Sequence, residues 1–159
     1  MDNLKVSSLN VTGFIQFDMR HLGPMMGRLR LAATTFDSVD DVIDTLDCIK
    51  DRSILYTAVY NGCIMAVGGI TFISKNVGHG VLIGTRDIDK HKAFFYRNLK
   101  RHLHQIINHC NLHRVQCDLR CIDSQYIKFF ELLGFENEGV MRQYNDRKED
   151  YYRFSLIRD

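Results

Sequence analysis

The sequence lacks several features that would mark whole classes of protein. It contains no run of about 18 consecutive apolar residues, so no segment is long enough for a membrane-spanning helix. It has no apolar leader with a cleavage site, no repeat and no low-complexity tract, and its one proline is Pro24. The formal net charge of +2 is too small to indicate general nucleic-acid binding. We therefore expect a cytoplasmic protein with neither a membrane nor a nucleic acid as partner.

Cysteine usage does not indicate a disulfide framework. The five cysteines, an odd number, are scattered at positions 48, 63, 110, 117 and 121 among apolar neighbours, which is typical of reduced core residues. His109 and His113 are four residues apart near Cys110, but no second carboxylate or CxxC pair accompanies them. They are predicted to be solvated histidines at a helix end, and no metal site is expected.

The chain of 159 residues, with 45% apolar and 25% charged residues, is predicted to fold as one domain over 1–159. Apolar residues recur at helical spacing over 25–33, 39–49, 92–110 and 123–134. Strand-like runs cover 14–17, 54–60, 63–72, 81–85, 114–119, a segment beginning at Phe135, and 151–158, with turns at 74–80 and 145–148. The order is therefore β-α-α-β-β-β-α-β-α-β-β.

Three local signals are specific. Asn61-Gly62 lies between two strand-like runs and predicts a two-residue hairpin turn. Gly68-Gly69 indicates either a bulge or a close backbone approach. In the long helix, an apolar stripe is predicted to pack on the sheet, with Lys100 and Arg101 outside; the stripe includes Phe95, Leu99, Leu103 and Ile106.

The last third of the chain carries the most specific pattern. Its run FFELLGFENEGVMRQY, followed by DYYRFSLIRD, resembles the C-terminal half of the GNAT superfamily, the acyl-CoA-dependent N-acyltransferases. The order of predicted elements is also the one found in that family. The resemblance implies a single α/β domain with a mixed, mostly antiparallel central sheet flanked by helices. It further implies transfer of an acetyl group from acetyl-CoA to an amine on a protein or small molecule.

The resemblance also implies where acetyl-CoA binds. In the family, backbone N–H groups of the strand before the long helix donate hydrogen bonds to the thioester carbonyl, and the helix N-terminus binds the diphosphate. The implied cofactor-binding residues are Ile83, Gly84, Thr85, Arg86, Lys90, His91, Lys92 and Ala93, joined by Asp123, Tyr126 and Phe130 of the last helix.

Two departures from the family pattern bear on catalysis. In the family, the loop that wraps the diphosphate carries two glycines. In this chain the corresponding loop, 86–92, has Asp89 and His91 at those positions, and Asp87 adds a second carboxylate. Many members carry a tyrosine proton donor where this chain has Phe130, whereas Tyr126 is either a substitute donor or a packing residue.

Two hypotheses follow from these residues. In the first, the protein is an N-acetyltransferase whose amine acceptor approaches between the N-terminal helices and the 142–147 turn, with Glu131 and Asp118 as candidate bases by residue type alone. In the second, the fold is retained as a non-catalytic binding or structural module, as in virion-associated phage proteins that resemble GNAT domains with an eroded loop. A homodimer or an assembly with other proteins is compatible with both.

Overall fold

Seven strands form one mixed sheet with helices packed on both faces. We describe it from a computed structural model, over residues 13–28 and 38–159. The strands are β1 (Gly13–Gln16), β2 (Ser53–Tyr60), β3 (Cys63–Ser74), β4 (Val77–Gly84), β5 (Arg114–Arg120), β6 (Glu136–Met141) and β7 (Tyr151–Ile157). The helices are α1 (Leu22–Met25), α2 (Val39–Ile49), α3 (Lys92–His109) and α4 (Ser124–Leu132), with 3-10 turns at Met19–His21, Met26–Arg28, Lys50–Arg52 and Arg86–His91.

The strand order is β1-β2-β3-β4-β5-β7-β6. Neighbouring strands are antiparallel except for β4 and β5, which run parallel because α3 connects them. The predicted α/β class and the mostly antiparallel sheet are confirmed.

The predicted hairpin between β2 and β3 is confirmed. Asn61 and Gly62 have φ angles of 47° and 74°, and the two positive values are those of a type I′ turn. Gly68-Gly69 was predicted to mark either a bulge or a close backbone approach, and the structure shows a close approach. A Cβ on Gly69 would lie 1.9 Å from the carbonyl oxygen of Ile54, and β3 continues its pairing through both glycines.

The predicted turn at 74–80 is confirmed only at Lys75 and Asn76, because β4 begins at Val77 and not at Val81. Gly78 and Gly80 lie inside this strand. A Cβ on Gly78 would lie 2.2 Å from Cγ2 of Ile70, so the lack of a side chain there allows close packing. The glycine-rich segment over 77–80 is therefore the first half of a central strand and not part of a turn.

The predictions for the N-terminal region are confirmed where the chain is described. The strand predicted over 14–17 is β1, which ends one residue earlier, and α2 begins after Ser38, whose Oγ accepts a hydrogen bond from the Asp41 N–H at 3.1 Å. The helix predicted over 25–33 lies partly outside the described residues. Within them, helical structure already begins at Leu22 and continues as the Met26–Arg28 turn.

The faces of α3 agree with the predicted stripe. Phe95 and Ile106 are buried, Leu99 and Leu103 are half-buried against the same cores, and Lys100 and Arg101 are exposed. The other face of the sheet carries α1 and α2, whose Met25 and Leu46 are fully buried.

The C-terminal elements follow the predicted order. Gly134, with φ of 99°, ends α4, and Gly139, with φ of 136°, sits at a register shift in β6. The expectation that all the cysteines are core residues is wrong for Cys48, which is exposed on α2.

Replacing Gly62 by valine should lower the free energy of unfolding by about 1 kcal/mol or more, because a β-branched residue resists positive φ. Urea denaturation measures the effect. Gly62→Asn is the matched control and should cost less, since asparagine tolerates this conformation. Equal losses in the two variants would contradict the turn assignment.

Candidate functional site

The central feature of the sheet is a gap between β4 and β5. The two strands pair through Val77–Arg114, Gly78–Val115 and His79–Gln116, and their pairing ends there. We call this last pair, His79–Gln116, the vertex of the gap. Beyond it, β4 continues to pair with β3 as far as Gly84, while β5 pairs with β7 as far as Arg120. Each strand is therefore held from its outer side, and the strands separate toward the N-terminal end of α3.

A cavity of about 1090 Å³ occupies this gap and reaches both faces of the sheet. On one face it is lined by residues of α2 and the end of β3, including Asp41, Thr45 and Thr71, together with Asp146 of the β6–β7 turn. On the other face its walls are α3 and α4. The hydroxyl of Tyr96 in α3 donates a hydrogen bond to the carbonyl oxygen of Leu132 at 2.7 Å, which joins the two helices.

The predicted diphosphate loop is folded as a 3-10 turn over Arg86–His91. Thr85 caps it, since its Oγ1 accepts from the Asp87 N–H at 3.3 Å and donates to the Met65 carbonyl at 3.0 Å. Lys90 lies 3.6 Å from Asp87, and Lys92 lies 3.4 Å from Asp89. Carboxylates at two positions of the loop therefore face cations of the same segment, and the side chain of His91, the N-cap residue, makes no capping hydrogen bond to α3.

The eleven predicted cofactor residues do not all meet in the gap. Five line the cavity, namely Gly84, Lys92, Ala93, Tyr126 and Phe130. Ile83 packs into the core on the α2 face, and Thr85 is buried beneath the loop turn. Asp123 binds the Arg120 guanidinium at 2.9 Å and makes no side-chain cap to α4. Arg86, Lys90 and His91 belong to the loop turn and are not among the cavity walls.

His79 is the site residue that sequence reasoning missed. It is the last residue of β4 that pairs with β5, it lines the cavity, and its neighbours include Asp118 and Arg153. Extending the strand back to Val77 would have placed it on the same side of the sheet as Val81 and Ile83, because side chains alternate along a strand. The strand around His79 was hard to predict because Gly78 and Gly80, which flank it, have low strand propensity.

Asp118 is the fixed charge beside His79. Its side chain is only 3% exposed, and it accepts hydrogen bonds from Nε and Nη2 of Arg153 at 2.9 and 3.1 Å. The Tyr144 hydroxyl donates to the same carboxylate at 2.6 Å. Asp118 therefore connects β5, β7 and the β6–β7 turn, and the guanidinium compensates its charge. Glu131, the other candidate base, is exposed on α4 and does not line the cavity.

Burial lowers the pKa of His79, an effect that the Asp118 carboxylate opposes and the Arg153 guanidinium reinforces. The imidazole is therefore neutral at neutral pH. Burial and the bond to Asp118 raise the pKa of Tyr144, so its hydroxyl remains protonated. At the vertex of the gap, the protein thus presents one neutral proton acceptor beside a charge-compensated carboxylate.

The sequence matches no family model and no curated protein. Solved structures do resemble the fold. Ard1 from Thermoplasma volcanium is 12% identical with a TM-score of 0.71, and the match covers 91% of this chain and 95% of that one. A chimera of the spermidine N-acetyltransferase SpeG from Vibrio cholerae and hSSAT is 16% identical with a TM-score of 0.72, covering 91% and 93%.

The protein therefore has the GNAT acetyltransferase fold that its C-terminal sequence predicted. Within 13–28 and 38–159, no helix combines the length and the apolar character needed to cross a membrane.

We expect the free energy of unfolding to fall as the pH is lowered from 7 to 5. Burial lowers the pKa of His79, and likewise those of His21 and His102, below the value of about 6.5 for the unfolded chain. The unfolded state then binds more protons in this range, so acid favours unfolding. Urea denaturation at pH 5, 6 and 7 measures the slope, and His79→Gln should make it shallower. An unchanged slope in the variant would contradict the buried, neutral state of His79.

Proposed function

We propose that the protein is an N-acyltransferase that transfers an acyl group from acyl-CoA to an amine. The observation that carries this proposal is the gap that crosses the sheet, with neutral His79 at its vertex. A donor and an acceptor that enter from opposite faces would meet at this point. The likeness to Ard1 and SpeG supports the fold on which the proposal rests.

The gap fits the arm of acyl-CoA. Gly84 at the open end lies four residue steps beyond Gly80 at the vertex, which corresponds to about 13 Å of extended strand. The edge of β4 that faces the gap offers backbone N–H groups to a thioester carbonyl, because its pairing with β5 has ended. The arm would thus extend along β4 and end beside His79.

The diphosphate of acyl-CoA would be bound differently in this protein than in the GNAT family. Two cations line the cavity on the α3 and α4 face, Lys92 at the start of α3 and Lys128 on α4. Without the loop glycines, the backbone cannot wrap closely around phosphates, so side-chain charge must contribute more of the attraction. Asp89 also lines this end and reduces that attraction.

His79 acts as the general base in this proposal. Acyl-CoA supplies a thioester whose acyl carbon bonds to the amine nitrogen as the carbon–sulfur bond breaks. A protonated amine must lose one proton to solvent before it attacks and a second as the amide forms, and the neutral imidazole accepts this second proton. Tyr126 lines the cavity on α4 and would donate a proton to the thiolate, since Phe130 has none to give. The imidazolium and the tyrosinate then return to their resting states by proton exchange with solvent.

The acceptor would enter from the α2 face. Asp41 and Asp146 line the cavity there beside one cation, Arg52, so the carboxylates outnumber the cation and favour an approaching protonated amine. A polyamine or a basic peptide fits this charge, and one of the structural neighbours is a spermidine N-acetyltransferase. His79 and Asp118 lie on the path from this entrance to the vertex.

A non-catalytic binding module is the second candidate function. The loop folded as a 3-10 turn with its own lysine–aspartate pairs, together with Phe130 at the usual donor position, favours it. Calorimetry with acetyl-CoA separates the two candidates. Saturable binding supports the enzyme, and no heat at millimolar acetyl-CoA would leave only the module.

Replacing His79 by glutamine should lower kcat for acyl transfer about 100-fold or more, the usual contribution of a general base. The assay is release of free CoA thiol from acetyl-CoA with spermidine and a lysine-containing peptide as acceptors. The dissociation constant for acetyl-CoA, measured by calorimetry, should change little, which separates loss of the base from loss of the fold. Wild-type kcat in the variant would exclude His79 as the base.

Replacing both Lys92 and Lys128 by glutamate should weaken CoA binding about tenfold or more, because two attractions become repulsions. Raising the ionic strength should reduce the difference from the wild type, since exposed charges are screened. The matched control is Lys75→Glu together with Arg101→Glu, which changes the net charge equally at two exposed residues that do not line the cavity. Equal weakening by both pairs would show that net charge alone controls binding.

A further inference from the structure

A second cavity lies behind β4, between the sheet and α3. It encloses about 60 Å³, which is room for about four methylene-sized groups. The space exists because the sheet presents small residues to this part of α3, namely Ala58, Ala66, Gly68 and Gly80. Leu99 and Leu103 of α3 form the opposite wall.

This rear pocket adjoins the gap at its vertex. Five residues line both cavities, namely Gly80, Val81, Leu82, Phe95 and Phe130. Gly80 follows His79 directly, so the junction lies where β4 separates from β5. A Cβ at Gly80 would lie 3.7 Å from the Gln116 carbonyl oxygen and 3.8 Å from Cβ of Cys117, which are ordinary van der Waals contacts with β5.

The walls of the rear pocket carry no charge. Among the residues that the structure describes, no aspartate, glutamate, lysine or arginine lines it. His102 is its one titratable imidazole. That ring stacks on Phe14 at 4.7 Å and packs edge-on against Tyr56 at 4.1 Å, and burial lowers its pKa, so it is neutral at neutral pH. Such a pocket favours an apolar occupant and penalises a charged one.

We propose that the rear pocket binds the acyl chain of the donor, and that the preferred donor carries an uncharged acyl group of about four carbons instead of acetyl. The proposal rests on the proposed acyltransferase function. The arm of acyl-CoA, extended along the gap, would end at the vertex. His79 and the acceptor amine would then lie on the α2 side of β4. The remaining direction for the acyl chain is past Gly80 into the apolar space beneath α3.

Calorimetry with acetyl-, butyryl- and succinyl-CoA tests the proposal on the wild-type protein. Butyryl-CoA should bind about tenfold more tightly than acetyl-CoA, because two more methylene groups are buried. Succinyl-CoA should bind at least tenfold more weakly than butyryl-CoA, because its carboxylate would enter an uncharged pocket. If acetyl-CoA binds and butyryl-CoA binds no better, the acyl-pocket proposal alone fails. If none of the three binds, the proposed function fails as well.

A matched pair of substitutions at Leu103, which lines the rear pocket and not the gap, locates the effect. Leu103→Phe fills the pocket and should lower the affinity for butyryl-CoA about tenfold relative to acetyl-CoA. Leu103→Ala enlarges it and should shift the preference toward hexanoyl-CoA. Thermal melting first shows that each variant is folded. Identical chain-length preferences in the wild type and both folded variants would overturn the proposal.

Discussion

The end of pairing between β4 and β5 is the constraint on which the rest of the site depends. Both strands are fully paired on their outer sides, β4 with β3 and β5 with β7, so neither can move inward to close the gap without losing a ladder. The Tyr96 to Leu132 hydrogen bond and the Phe95 to Phe129 ring contact, with centroids 6.2 Å apart, hold α3 and α4 around the opening. The strand edges that face the gap carry backbone groups that need partners, and a ligand or water must supply them. The gap therefore leaves backbone hydrogen-bonding groups of the sheet available to a ligand.

Strand alternation divides the chemistry between the two faces of that gap. His79 points to the face where α2 and the β6–β7 turn lie, and Gly80, the next residue, opens toward α3. One strand thus separates an imidazole and a charge-compensated carboxylate from an apolar pocket. In the proposed reaction, the acceptor amine and the acyl chain would therefore reach the same vertex from opposite faces without competing for space. Asp118 keeps the polar side in place through Arg153 and Tyr144.

The loop before α3 shows how the site departs from the family pattern. In place of glycines that would bring the backbone close to phosphates, the chain has a 3-10 turn capped by Thr85, with its aspartates opposite Lys90 and Lys92. Ion pairs made by exposed lysines contribute little to stability, so in the proposed complex the lysines would exchange a carboxylate for a phosphate at small cost. Binding at this end would then depend on charge, whereas binding in the interior of the gap would depend on shape and on the free edge of β4.

Local patterns in the sequence determined the type and order of most elements, because the periods of helices and strands, caps such as Ser38 and the Asn61-Gly62 turn act between near neighbours. The C-terminal motif identified the fold, and the resemblance implied that Lys92, Tyr126 and Phe130 contact the cofactor; all three line the cavity. The start of β4 was not predictable from propensity, since Gly78, which disfavours an isolated strand, is required here by its contact with Ile70. Only the tertiary structure brought His79, Asp118, Tyr144 and Arg153 together, because they belong to separate elements whose contacts depend on sheet order and not on sequence spacing.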